Sequence, residues 1–142
     1  MSSRFVYRPL SSEQMATIGN LVIADVQARI RRGQNAADAQ AKALKPGRNG
    51  KRGYPDYKVA RGLQGIRDLV WRGLTMRSIR VTSSKANEVR IGFDNPQAAL
   101  IASINQNREA MFWFSPNNKK RIQELVSQAI RASEMVRRGK VA

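Results

Sequence analysis

The stretch from Lys42 to Arg61, KALKPGRNGKRGYPDYKVAR, sets the strongest limit on how this chain can fold. Gly47, Gly50 and Gly53 interrupt it at every third position, and Pro46 and Pro55 bracket them. Glycine loses the most backbone freedom on ordering and proline offers no N–H, so neither helix nor strand is expected here. The stretch carries Lys42, Lys45, Arg48, Lys51, Arg52, Lys58 and Arg61 against one acid, Asp56. Two readings stand side by side. It is a solvated loop charged for solubility, or a contact surface for phosphate or for a neighbouring subunit.

The chain has 142 residues, 42% of them hydrophobic, which fits one domain (1–142) with a buried core. Its formal net charge is +16. Such an excess repels itself in a compact state unless an anionic partner offsets it. Nucleic acid is the first candidate, an acidic protein face the second and a membrane surface the third. With no cysteine there is no disulfide or thiolate metal site, and with no histidine the commonest general base and zinc ligand is missing. No apolar run approaches the ~18 residues of a bilayer span. The start MSSRFVYRPL lacks the apolar core of a signal peptide. A reducing cytoplasm is the expected place of synthesis.

Residues 1–10 read as an extended arm. A helix follows, with Ser11 at its N-cap, Gln14 three residues on, and Met15, Ile18, Val22, Val26 and Ile30 forming a core stripe widened by Leu21 and Ile23. Arg29, Arg31 and Arg32 suit its C-terminal dipole, and Gly33 ends it. Asn35–Leu44 is a candidate short helix. Lys45–Asp56 is the flexible basic loop, and Tyr57–Arg72 has roughly helical apolar spacing. Met76–Thr82 and Glu88–Phe93 form an antiparallel hairpin turning at Ser83–Asn87, with Val89, Ile91 and Phe93 inward. Asp94 or Asn95 caps the next helix, with Pro96 in its first turn and Ala99, Leu100, Ile101 and Ile104 as its apolar side. Glu109–Phe114 is β-prone and read as a third strand, with Phe112, Trp113 and Phe114 as core or interface aromatics. Base stacking is the lesser alternative. A last helix starts at Ser115-Pro116, with Ile122, Leu125, Val126, Ala129, Ile130 and Val136 as its stripe. The fold expected is α+β: an antiparallel sheet of about three to four strands against N-terminal, middle and C-terminal helices.

Lys119, Lys120 and Arg121 sit in the first turns of that last helix, where the dipole disfavours cations. They form a second basic patch, either solvated or facing an anion. No catalytic constellation is visible. GRNGKRG lacks the phosphate-loop spacing, and the acids are scattered singly. No enzyme, metal or cofactor is expected. No zinc finger, RNP or KH pattern appears either, so any DNA contact would be to the backbone.

The order of features resembles the tail-completion and head–tail joining (neck) proteins of tailed bacteriophages, over about residues 11–130. The points of likeness are the capped first helix, the ALKP segment leading to Tyr57-Lys58, and Arg67-Asp68-Leu69. Further on come Gly73-Leu74-Thr75-Met76-Arg77-Ser78-Ile79, Val89–Phe93, Ile101–Gln106, and the aromatic segment before Ser115-Pro116. Where members often carry Thr-Gly and His-Gln, this chain has Arg72-Gly73 and Asn105-Gln106. The resemblance implies a structural virion protein that assembles as a homo-oligomeric ring, six-fold by expectation. The ring would lie between the head-side connector or adaptor and the tail terminator or tube, with DNA passing through. The alternative is a non-specific nucleic-acid-binding protein.

Overall fold

The computed structural model describes residues 10–68 and 74–139, the last four of these by backbone only. Residues 1–9 of the expected arm, the Leu69–Arg72 part of the expected 57–72 helix and the side chain of Val136 lie outside the described residues. The elements are helix α1 (Ser12–Arg31), α2 (Tyr54–Ala60), α3 (Leu74–Arg77), strands β1 (Ile79–Lys85) and β2 (Glu88–Phe93), α4 (Pro96–Arg108) and α5 (Pro116–Gly139). The class is α+β, as expected.

Helix α1 is the centre of the molecule. Ser11 and Gln14 form a capping box, each side chain bonded to the other's backbone N–H at 3.1 and 2.9 Å. Met15, Ile18, Val22, Val26 and Ile30 are all buried, with Ile23 beside them. Each is worth roughly 1.5–3 kcal/mol of burial. Leu21 departs from the expected stripe and faces solvent. The helix packs on β1, β2 and α5. Gly19 allows the close approach to the hairpin: a Cβ there would lie 2.8 Å from methyl groups of both Val81 and Val89.

The hairpin pairs Ile79 with Phe93 through Lys85 with Glu88, with an irregularity between Val81 and Ser83. Strand β1 starts later than the sequence suggests, because Met76 is buried within the short α3. It also runs further, so the turn is Ala86-Asn87 alone. Asn87 takes φ 59°, and its backbone and side chain bond both the C=O and the N–H of Leu10, at 3.0 and 2.6 Å. The chain entering α1 is thereby fastened to the hairpin tip.

Helix α5 runs antiparallel to α1. Gln14 near the start of α1 donates to Ser133 Oγ at 2.9 Å, and Asp25 near its end accepts from Asn118 at 2.6 Å. Ser115 and Asn118, both buried, cap α5 reciprocally. Ile122, Leu125, Val126, Ala129 and Ile130 join the core, as their spacing predicts.

Four further expectations are corrected. Asn35–Leu44 is not helical: Asn35 Oδ1 accepts from Ala37 and Ala39, and Gln34 bridges to Gln40. This local side-chain bonding competes with helix. Helix α2 (Tyr54–Ala60) starts inside the expected loop, three residues before the helical spacing that begins at Tyr57, and it stops at Gly62 (φ 78°) rather than running on to Arg72. Pro55 sits in its first turn, where no N–H is needed, and Asp56 accepts from Gly53 N at 2.8 Å. The sheet of the described residues has two strands, because Glu109–Phe114 spends its hydrogen bonds elsewhere. Finally, α4 buries Ala98 and Ala102 and leaves its large apolar residues outside.

Candidate assembly surface

The basic loop is built on two close glycine approaches. At Gly47 a Cβ would stand 1.8 Å from Lys51 O, and at Gly53 one would stand 2.2 Å from Gly47 N. Only glycine lets the chain close back on itself there. Between them, Arg48-Asn49-Gly50-Lys51 makes a tight turn, with φ 54° and 74° at the central pair and Lys51 N donating to Arg48 O at 3.0 Å. Asn-Gly is the pair such a left-handed turn prefers. Arg48, Lys51 and Arg52 are consequently presented at an exposed tip.

Of the cations expected to act together, Lys42, Lys45, Arg48, Lys51, Arg52 and Arg61 are exposed. Lys58 is not: it is 1% exposed. Its ammonium lies 2.5 Å from Asp68 and 2.7 Å from Ile66 O, and sits over the Tyr54 ring. It pins α2 to the segment that follows and faces no partner. The acids around the loop are likewise committed. Asp56 caps α2, Asp68 holds Lys58, and Glu109 accepts from Lys42 N and faces Arg67 at 3.6 Å. Among the described residues, Lys45, Arg48, Lys51 and Arg52 have no carboxylate partner.

Lys119, Lys120 and Arg121 are exposed on α5, Arg121 within 3.5 Å of Glu124. Among the described residues α2 makes no extensive packing against α5, so the two basic patches are not joined through their helices.

The aromatic segment divides by position. Phe112 packs on the core and meets Phe93 edge to face at 5.5 Å. Trp113 is 69% exposed and Phe114 half-exposed, which removes them from the core. The segment is a strap held by side chains. Gln106 Oε1 accepts from Met111 N and Phe112 N at 3.1 and 2.9 Å, and Ala36 N donates to Ala110 O. Arg29 donates to the carbonyls of Met111 and Trp113.

Arg29 is the residue that sequence reasoning misplaced. It lies within the last turns of α1, yet it is 1% exposed and bonds the strap from beneath. Its Nε and Nη1 are buried without a partner. Burial lowers its pKa, with Asp38 and Asp25 opposing the shift. No periodicity marks it, because a basic residue near a helix C-terminus is also what the dipole alone favours. Behind the strap lies an apolar recess of about 110 Å³, lined by Ile23, Val26, Ile79, Ile91, Phe112 and Phe114.

Among the described residues no three carboxylates gather to hold a metal ion, and no helix is long and apolar enough to cross a membrane. Comparison with protein-family models, curated proteins and solved structures returns no match to the chain.

Proposed function

We propose that this chain is a structural subunit of the neck of a tailed-phage virion. It forms a ring, six-fold by expectation, between the head-side connector and the tail terminator or tube. Its basic loop grips an acidic neighbour, and DNA passes through the ring. The observation that carries this reading is the contrast at the loop. Every acid beside it is used inside the fold, while Lys45, Arg48, Lys51 and Arg52 are exposed with no carboxylate partner among the described residues. Large exposed apolar side chains elsewhere, Trp113 above all, support a surface that is covered in use.

The same cations favour a second reading, non-specific binding to a nucleic-acid backbone. The two part on salt and on mass. An assembly subunit makes defined oligomers without DNA. A backbone binder stays small and loses DNA affinity steeply as salt rises. The decisive variant is R48S/K51S/R52S, which keeps Gly47, Gly53 and the α2 cap and so leaves the fold intact. It is expected to melt like the parent and to fail in particle assembly. Unimpaired assembly would reduce the loop to solvated surface.

A further inference from the structure

An open groove of about 640 Å³ lies between the glycine turn and helix α2. The turn supplies Gly47, Gly50, Lys51 and Arg52 to its lining, and α2 supplies Asp56 and Val59. Both walls are held in place. Lys51 N donates to Arg48 O across the turn at 3.0 Å, and the backbones of Gly47 and Gly53 touch. The Lys58–Asp68 pair pins α2 to the segment after it. At the base of the stretch Glu109 accepts from Lys42 N at 3.0 Å, and Arg67 donates to Lys42 O at 2.9 Å. A site ordered in advance loses little further entropy when it is filled.

The lining puts two chemistries side by side. Lys51 and Arg52 are exposed, and among the described residues neither has a carboxylate partner. Val59 is 61% exposed, three residues along α2 from Asp56. Asp56 is the one acid in the lining, and one of its oxygens accepts from Gly53 N at 2.8 Å. A nucleic-acid strand carries a charge at every phosphate. Laid along this groove it would bring charge onto Asp56 and cover Val59 with nothing apolar. A peptide alternates its side chains, so one carboxylate can meet Lys51 and Arg52 while an apolar neighbour covers Val59. A second copy of this chain, at a net charge of +16, is repelled as a whole.

We propose that this groove binds an acidic segment of a neighbouring protein of different sequence, with a carboxylate against Lys51 and Arg52 and an apolar side chain against Val59. The inference deepens the assembly reading and rests on it in taking the occupant from the neighbour that the basic loop grips. It adds a recognition element that charge alone does not supply: the neighbour carries an apolar residue next to its acid. Salt weakens the ionic half of such a contact and leaves the apolar half in place.

The test follows amide NMR shifts of the isotope-labelled full chain and of Val59→Ser during titration. The probes are a short capped peptide alternating aspartate and leucine, its asparagine–leucine and aspartate–serine counterparts, and an oligothymidylate. Val59 is exposed, so the variant is expected to melt like the parent. The aspartate–leucine peptide is expected to shift Gly47, Gly50, Lys51, Arg52 and Val59 saturably, and each counterpart to bind about tenfold more weakly. Val59→Ser is expected to lose about tenfold toward the aspartate–leucine peptide and nothing toward the aspartate–serine one. Peptide shifts confined to Arg48–Arg52 and indifferent to Val59→Ser overturn the groove and leave the loop's ionic grip standing. An oligothymidylate that displaces the peptide from the same residues overturns it in favour of nucleic acid. No saturable shift with either acidic peptide overturns the groove outright, and the assembly of R48S/K51S/R52S then judges the assembly reading separately.

Discussion

Lys58 and Arg29 are basic residues in a basic chain, yet both are buried and serve the fold. Removing one partner of a buried ion pair leaves the other charge stranded. Lys58→Ala is therefore expected to cost about 3–5 kcal/mol in urea unfolding, and Lys58→Met, which keeps most of the side chain's volume, to lose nearly as much because Asp68 is still stranded. A much smaller loss for Lys58→Met would mean that the pair's charge is not what matters. Arg29→Ala strands the carbonyls of Met111 and Trp113 and opens a cavity, at roughly 2–4 kcal/mol. Tyr54 gives the residue scale its pH signature. Burial first, and then the Asp68 charge, raise its pKa above the ordinary 10.0. A group raised in the fold contributes stability fully below its unfolded pKa and loses it as pH climbs toward the folded value. Stability should thus fall as pH rises past 10.0, and Tyr54→Phe should fall less steeply over that range, as read by unfolding at stepped pH.

At the scale of elements, signals carried by local chemistry were legible in the sequence, and those decided by tertiary partners were not. Ser11 with Gln14 and Asn95 with Pro96 mark helix starts that depend on neighbouring backbone alone. Val89, Ile91 and Phe93 alternate because one face of the hairpin lies on α1. Glu109–Phe114 has the composition of a strand, but Gln106 and Arg29 take up its backbone groups. The first turn of α2, Tyr54–Asp56, was hidden because proline reads as a breaker until its place in the first turn is known. In α4, spacing showed that apolar residues recur but not which side faces inward. Two outcomes follow from these packings. Gln106→Ala should cost about 1–3 kcal/mol by leaving buried Met111 N unpaired, with the strap's amides exchanging faster with solvent. Gly19→Leu should cost about 1–3 kcal/mol in thermal or urea unfolding, since stiff valine methyls already fill the space. If Gly19→Leu is neutral, α1 and the hairpin are not in close contact.

For the whole molecule, the interior is committed and the exterior is not. The core closes around α1, and the acids near the loop are engaged within the chain. Left outward are a turn of cations with no carboxylate partner among the described residues, an exposed tryptophan and a helix face with its leucine and isoleucines in solvent. A net charge of +16 makes the ionic strength of any experiment a variable rather than a background. The assembly account requires the basic contact at the loop to weaken as salt rises.

The native mass of the purified chain without nucleic acid, followed by a DNA titration at stepped salt, tests the account most directly. The account predicts one closed oligomer of a single subunit number, formed in the absence of DNA, with weak DNA affinity. A monomer that binds DNA tightly, and releases it steeply as salt rises, would contradict it.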